Sequence, residues 1–209
     1  MIRNALLALC LAAMTWGDAG AGILHPRAPD FAAKYQPFTY ILSPSSRRLV
    51  YGSYRGTLHL LENRQGNLVE KLARDLWSPV LEIVAADLDG DKQEEVVGFT
   101  QDSRLFVLKG TDLQDIWNTQ LGRFQSITAL TVADVDGDEQ PEILMIADGL
   151  LRIFSGMRDT EEWKGSEPYT DSDLAVGDVD GDGKLEIVGL GPDGLDRVFD
   201  VDERRVKWN

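Results

Sequence analysis

The chain has 209 residues, 21 Lys+Arg against 35 Asp+Glu, and a formal charge of −14. An apolar share of 43% can supply a core and excludes wholesale disorder. A pI near 4.5 argues against nucleic acid as a partner and against attachment to anionic lipid by basic charge, because both need clustered Lys and Arg.

Residues 1–21 read as a secretory signal peptide. Arg3 precedes an apolar run from Ala5 to Met14, and Ala19-Gly20-Ala21 fits a small-x-small cleavage site. The run is too short for a membrane span, so no span is expected after cleavage. The alternative reading is an uncleaved anchor or a buried helix. Cys10 is the only cysteine and lies inside the run, so the mature chain is expected to lack thiol and disulfide. Leu7-Ala8-Leu9-Cys10 is a poor lipidation box, because Leu9 stands where a small residue is expected. Residues 22–36 read as an extended lead-in, with His25-Pro26 and Ala28-Pro29 disfavouring helix.

The rest of the chain repeats. Three segments align without gaps, beginning at Asp87, Asp134 and Asp178 and ending at Glu95, Glu142 and Glu186. Each is preceded by a short apolar stretch and followed by two more, such as Val96–Phe99 and Leu105–Leu108. Trp117, Trp163 and Trp208 stand near the unit ends, and Trp77 fits the same series. Upstream of Trp77 lie Thr39–Leu42, Leu49–Gly52 and Leu58–Leu61, a fourth unit with Ser-Pro-Ser-Ser-Arg at 43–47 in place of the acidic loop.

Short apolar stretches between Gly, Asp, Asn and Ser predict strands. The stretch 68–76 could form a short helix but occupies a fourth-strand slot. Four strands in about 45 residues is the size of a propeller blade. The expected fold is all-β, with units at 37–77, 78–118, 119–164 and 165–209. Four blades either close as a small propeller or form half of a dimeric eight-blade ring, because an open arc leaves apolar blade faces uncovered.

The acidic segments have the makings of cation cages. Asp87, Asp89, Asp91, Gln93 and Glu95 stand at positions one, three, five, seven and nine. The other sets are Asp134, Asp136, Asp138, Gln140 and Glu142, and Asp178, Asp180, Asp182, Lys184 and Glu186. A glycine at position four permits a tight turn that brings alternate carboxylates together. Position seven varies, so only its backbone carbonyl is available in common. An all-oxygen set in a flexible loop suits Ca2+ better than Mg2+. Without Cys or His nearby, zinc and copper fit poorly. Up to three Ca2+ ions are expected, which would bring the charge from −14 to −8. A single Asp-Gly-Asp is an ordinary turn; three in constant register, each ending in Glu, are not. The third loop, with Gly183 added, is expected to bind best, and Pro141 could perturb the second.

These units resemble FG-GAP, or VCBS, repeats of integrin α-subunit propellers and secreted bacterial proteins. The pattern Asp-x-Asp-Gly-Asp-x-x-x-Asp/Glu followed by a hydrophobic strand ending in Gly runs here from Asp178 to Gly189. The resemblance implies a β-propeller with calcium between the first two strands of a blade. Unit one departs by lacking the ligands, and unit two of the acidic series has Met145 in place of the strand glycine.

No catalytic residues are expected. His25 and His59 are the only histidines, and Ser45, Ser46 and Ser103 have no histidine in a recognisable arrangement. Glu161-Glu162 and Arg204-Arg205-Lys207 read as solvated charges, and the tryptophans as packing between blades. The expected function is a secreted or periplasmic, non-catalytic module that binds another protein or an extracellular glycan, in adhesion or assembly. The alternatives are a carbohydrate-binding module and a polysaccharide-degrading enzyme.

Overall fold

Sixteen strands account for the regular structure of the described residues, and they fall in order into four antiparallel sheets. The computed structural model describes residues 39–43, 48–170 and 174–208. Residues 1–38, which include the expected signal segment and lead-in, and residues 44–47, 171–173 and 209 lie outside that set. Blade 1 comprises β1 (Thr39–Ser43), β2 (Arg48–Gly52), β3 (Thr57–Arg64) and β4 (Asn67–Asp75). Blade 2 comprises β5 (Val80–Ala86), β6 (Glu95–Thr100), β7 (Leu105–Lys109) and β8 (Asp115–Asn118). Blade 3 comprises β9 (Ile127–Ala133), β10 (Glu142–Ala147), β11 (Leu150–Ser155) and β12 (Glu161–Pro168). Blade 4 comprises β13 (Ala175–Gly177), β14 (Glu186–Leu190), β15 (Asp196–Asp200) and β16 (Arg205–Trp208). The stretch 68–76 is thus strand rather than helix, and β12 carries the third unit past residue 164 to Pro168.

Strand order equals chain order in every sheet, so each blade is a meander. In blades 2 and 3 the middle strands are packed on both faces. β6 and β10 are buried at every position, which is why they read as unbroken apolar runs after the loop glutamate. The fourth strand is the outer edge, and the alternating exposure of β4 reflects that place.

The core consists of three interfaces between neighbouring blades. Val50, Leu58 and Leu60 of blade 1 meet Ile83, Val96 and Phe106 of blade 2. Val97, Phe99 and Trp117 of blade 2 meet Leu130, Met145 and Phe154 of blade 3. Leu144, Leu151 and Ile153 of blade 3 meet Ile187 and Phe199 of blade 4. Among the described residues no core cluster joins blade 4 to blade 1.

The repeat series needs one correction. Trp77 does not occupy the blade-end position. Leu72 pairs with Leu60 just as Trp117 pairs with Val107, Trp163 with Ile153 and Trp208 with Val198. Leu72, Trp117, Trp163 and Trp208 are spaced by 45, 46 and 45 residues. Trp77 lies beyond β4 and is 85% exposed. The repeat survives in blade 1, with leucine in the aromatic slot.

Candidate metal centres

The three acidic loops join the first and second strands of blades 2, 3 and 4, and one backbone design builds all of them. Position four is a left-handed glycine: Gly90 (φ 78°), Gly137 (φ 79°) and Gly181 (φ 80°). Position six is left-handed too, at Lys92, Glu139 and Gly183. Only the third loop places there the residue that adopts this conformation without strain.

The first aspartate holds the turn. Asp87 accepts from Gly90 N at 2.8 Å and from Lys92 N at 2.8 Å through separate oxygens. Asp134 and Asp178 repeat both contacts. The position-nine glutamate closes the loop, because Leu88, Val135 and Val179 each donate a backbone N–H to its Oε2 at 2.9 Å. This contact pins the start of β6, β10 or β14 against the loop entry.

Positions one, three and nine converge. In each loop one carboxylate oxygen from each residue lies within 4.8 Å of the others: Asp87, Asp89 and Glu95; Asp134, Asp136 and Glu142; Asp178, Asp180 and Glu186. These three clusters could hold metal ions. The position-five aspartates fall outside these groupings. Asp91 Oδ1 accepts from Gln93 N at 2.7 Å and Oδ2 from Gln93 Nε2 at 3.0 Å, and Asp138 and Gln140 repeat the arrangement. Gln93 and Gln140 thus hold position five with their amides, a role the sequence did not suggest. Among the described residues Asp182 accepts the backbone N–H of Lys184, whose ammonium pairs with Asp202 at 2.5 Å.

The donor set fits a hard divalent cation. Burial raises the carboxyls of Glu95 and Glu142 to about 7. Their backbone hydrogen bonds oppose this, and neighbouring aspartates add to it. A carboxyl raised by burial and by neighbouring like charges would be relieved by a bound cation, and an all-oxygen donor set suits a hard one.

Of the groups read as solvated charges, Glu162 is exposed as expected, with a pKa raised by partial burial and by the charges of Asp136 and Asp138, while Glu161 is half-buried and accepts from Arg152 at 3.1 Å. Arg205 is exposed as expected, but Lys207 points into the third loop. His59 stacks on Tyr51 and bonds Glu70 at 2.8 Å, so its ring is engaged in the sheet.

A family profile of FG-GAP-like repeats matches residues 87–145, which span two of the three loops. No curated protein matches the chain. Among solved structures, BamB from Moraxella catarrhalis is similar at 18% identity with a TM-score of 0.56, over 82% of this chain and 51% of that one. The computationally designed Ika4 protein is similar at 17% identity and a TM-score of 0.59, over 78% and 89% of the two chains. For the designed Ika8 protein the values are 16%, 0.59, 80% and 46%. The chain therefore spans about half the length of BamB and of Ika8 and most of Ika4. The structural likeness establishes the architecture, four β-propeller blades, and the match to the FG-GAP-like repeat profile falls within the second and third.

Proposed function

We propose that this chain is an exported, calcium-stabilised propeller that acts without catalysis by binding another protein. The convergence of three carboxylates at the same register in three loops carries the metal half. Calcium would be held by positions one, three and nine, with position five and the position-seven carbonyl at hand. It would neutralise buried glutamates and lock the ends of the blades. Titration calorimetry on the chelator-treated chain tests this: calcium binding is expected, and its absence removes the metal role.

The binding half rests on the opposite end of the blades. There the loops form a continuous belt through Leu76 N to Gly56 O, Gln101 N to Pro79 O, Gln125 N to Asp148 Oδ1 and Thr170 N to Leu190 O. Tyr54 and Trp77 project from two touching loops of this belt, and Leu121 and Leu195 project further along it. Large apolar side chains grouped on one loop face support a protein contact. The same Tyr54–Trp77 pair also suits a sugar platform, which keeps a glycan as the second reading. Crosslinked capture from the native envelope or medium, compared with Trp77→Ala, tests both. Loss of a protein partner supports the first reading, and loss of signal on a glycan array supports the second. A hydrolase or lyase activity would overturn the non-catalytic reading.

A further inference from the structure

The three loops are not equivalent, because the fourth strand carries a different residue at the same register in each blade. Between the third and fourth strands every acidic blade carries a β-bulge at the same place. Val107 pairs with Trp117 and Leu108 with Asp115, which leaves Ile116 as the extra residue. Ile153 pairs with Trp163 and Phe154 with Glu161, which leaves Glu162. Val198 pairs with Trp208 and Phe199 with Val206, which leaves Lys207. A bulge re-aims its extra side chain. Blade 2 thus presents an apolar group, blade 3 an acid and blade 4 an ammonium.

In blade 4 that ammonium lies among the carboxylates. Lys207 Nζ is 2.5 Å from Asp180 Oδ2, 3.2 Å from Asp200 Oδ2 and 3.4 Å from Glu186 Oε1. Asp180 and Glu186 are two of the three residues of the third cluster. Glu186 Oε1 is the oxygen left over after Oε2 takes the Val179 N–H. A second change accompanies the first. The residue paired with the loop glutamate is Lys109 in blade 2 and Ser155 in blade 3, but Asp200 in blade 4. Asp200 is buried and needs its own counter-charge, which Lys207 provides. Asp200 and Lys207 together form an internal neutralising pair that the other loops lack.

We propose that Lys207 is the resident cation of the third loop and that the chain binds two divalent ions, in blades 2 and 3, rather than three. The inference rests on the metal reading above. A divalent ion in the third cage would face an ammonium that is already bonded to two of its ligands, and it would have to displace that group and leave Asp200 unpaired. The acid at Glu162 works in the other direction and strengthens the loop of blade 3.

Calcium titration calorimetry on the purified, chelator-treated chain tests this by stoichiometry. Two equivalents are expected for the unaltered chain. Asp180→Asn should leave two, Asp89→Asn should leave one, and Lys207→Met should raise the count to three. Because Lys207→Met leaves the buried Glu186 and Asp200 without their counter-charge and could fail to fold, Ile116→Lys is the reciprocal variant. It should lower the count from two to one while the far-ultraviolet circular dichroism stays unchanged. Three equivalents in the unaltered chain, or two in a folded Lys207→Met chain, would overturn the inference and leave the metal reading intact. No binding in any variant would overturn the metal reading and this inference with it.

Discussion

Trp117 Nε1 donates to the Gly156 carbonyl at 2.9 Å, and this bond ties the outer strand of blade 2 to the far turn of blade 3. The indole also stacks on Phe154 at 6.4 Å between ring centroids. Apolar burial between blades is non-directional. A directional bond from a buried ring fixes how one sits on the next. Trp117→Phe should therefore lower unfolding stability by about 1–2 kcal/mol, since the Gly156 carbonyl loses its donor in a buried place. Trp117→Ala should cost about 3–5 kcal/mol. Urea denaturation followed by circular dichroism measures both.

Trp77 is an expensive residue where it stands. It is fully displayed to solvent and holds a φ of 64°, which suits glycine and not a bulky aromatic. Trp77→Gly is expected to leave stability unchanged or raise it by about 1 kcal/mol. The same variant should lose partner capture. A clear drop in thermal midpoint would mean that the indole has a structural task instead.

On the proposed metal reading, protons and calcium would compete for the loop glutamates. Glu95 and Glu142 titrate near 7 in the folded, metal-free chain, above the ordinary 4.5. A raised folded value means that the folded state holds protons the unfolded state has released. The contribution to stability is therefore full below about 4.5 and is lost as pH rises through about 7. In chelator the urea midpoint should fall between pH 5 and pH 8. Saturating calcium should remove that fall, and apparent calcium affinity should rise over the same window.

Glu95→Gln separates charge from geometry. The amide oxygen can still accept the Leu88 N–H, so the loop entry stays closed. The metal-free chain should be more stable than the unaltered one at pH 8, because a buried charge facing aspartates has gone. Its stabilisation by added calcium should shrink. Thermal unfolding with and without calcium reads both effects.

Gly110 lets a backbone approach that no side chain permits. A Cβ there would lie 2.1 Å from the Glu94 carbonyl oxygen, immediately before the loop glutamate. Gly110→Ala should cost about 1–3 kcal/mol and weaken calcium binding in blade 2 together with it. Gly156 has the same role in blade 3, 2.4 Å from the Pro141 carbonyl oxygen. A comparable loss of stability there, measured in the same way, would show that the two blades share the device.

Met145 illustrates how a departure from the repeat is absorbed. In blade 2 the ring tip of Phe106 folds over Gly98, 2.6 Å from where a Cβ would stand. In blade 3 the paired residue is Arg152, whose guanidinium turns to Glu161 and Asp148. The space over the strand is then free, and Met145 fills it, fully buried.

The sequence by itself determined the blades and the clustering of acids in their loops. Apolar runs of fixed length, turn residues between them and an acid recurring at position nine are local patterns, and local backbone chemistry converts them directly into strands and loops. It could not reveal the cation beside the third loop, because Lys207, which pairs with Asp180, lies more than twenty positions downstream of it on another strand. It could not separate Trp77 from the tryptophan series either, because blade-end position is set by pairing register and not by spacing alone. Only the tertiary structure brings the fourth-strand bulge against the first loop, since that contact depends on how four strands twist and stack rather than on what any neighbour in the chain prefers.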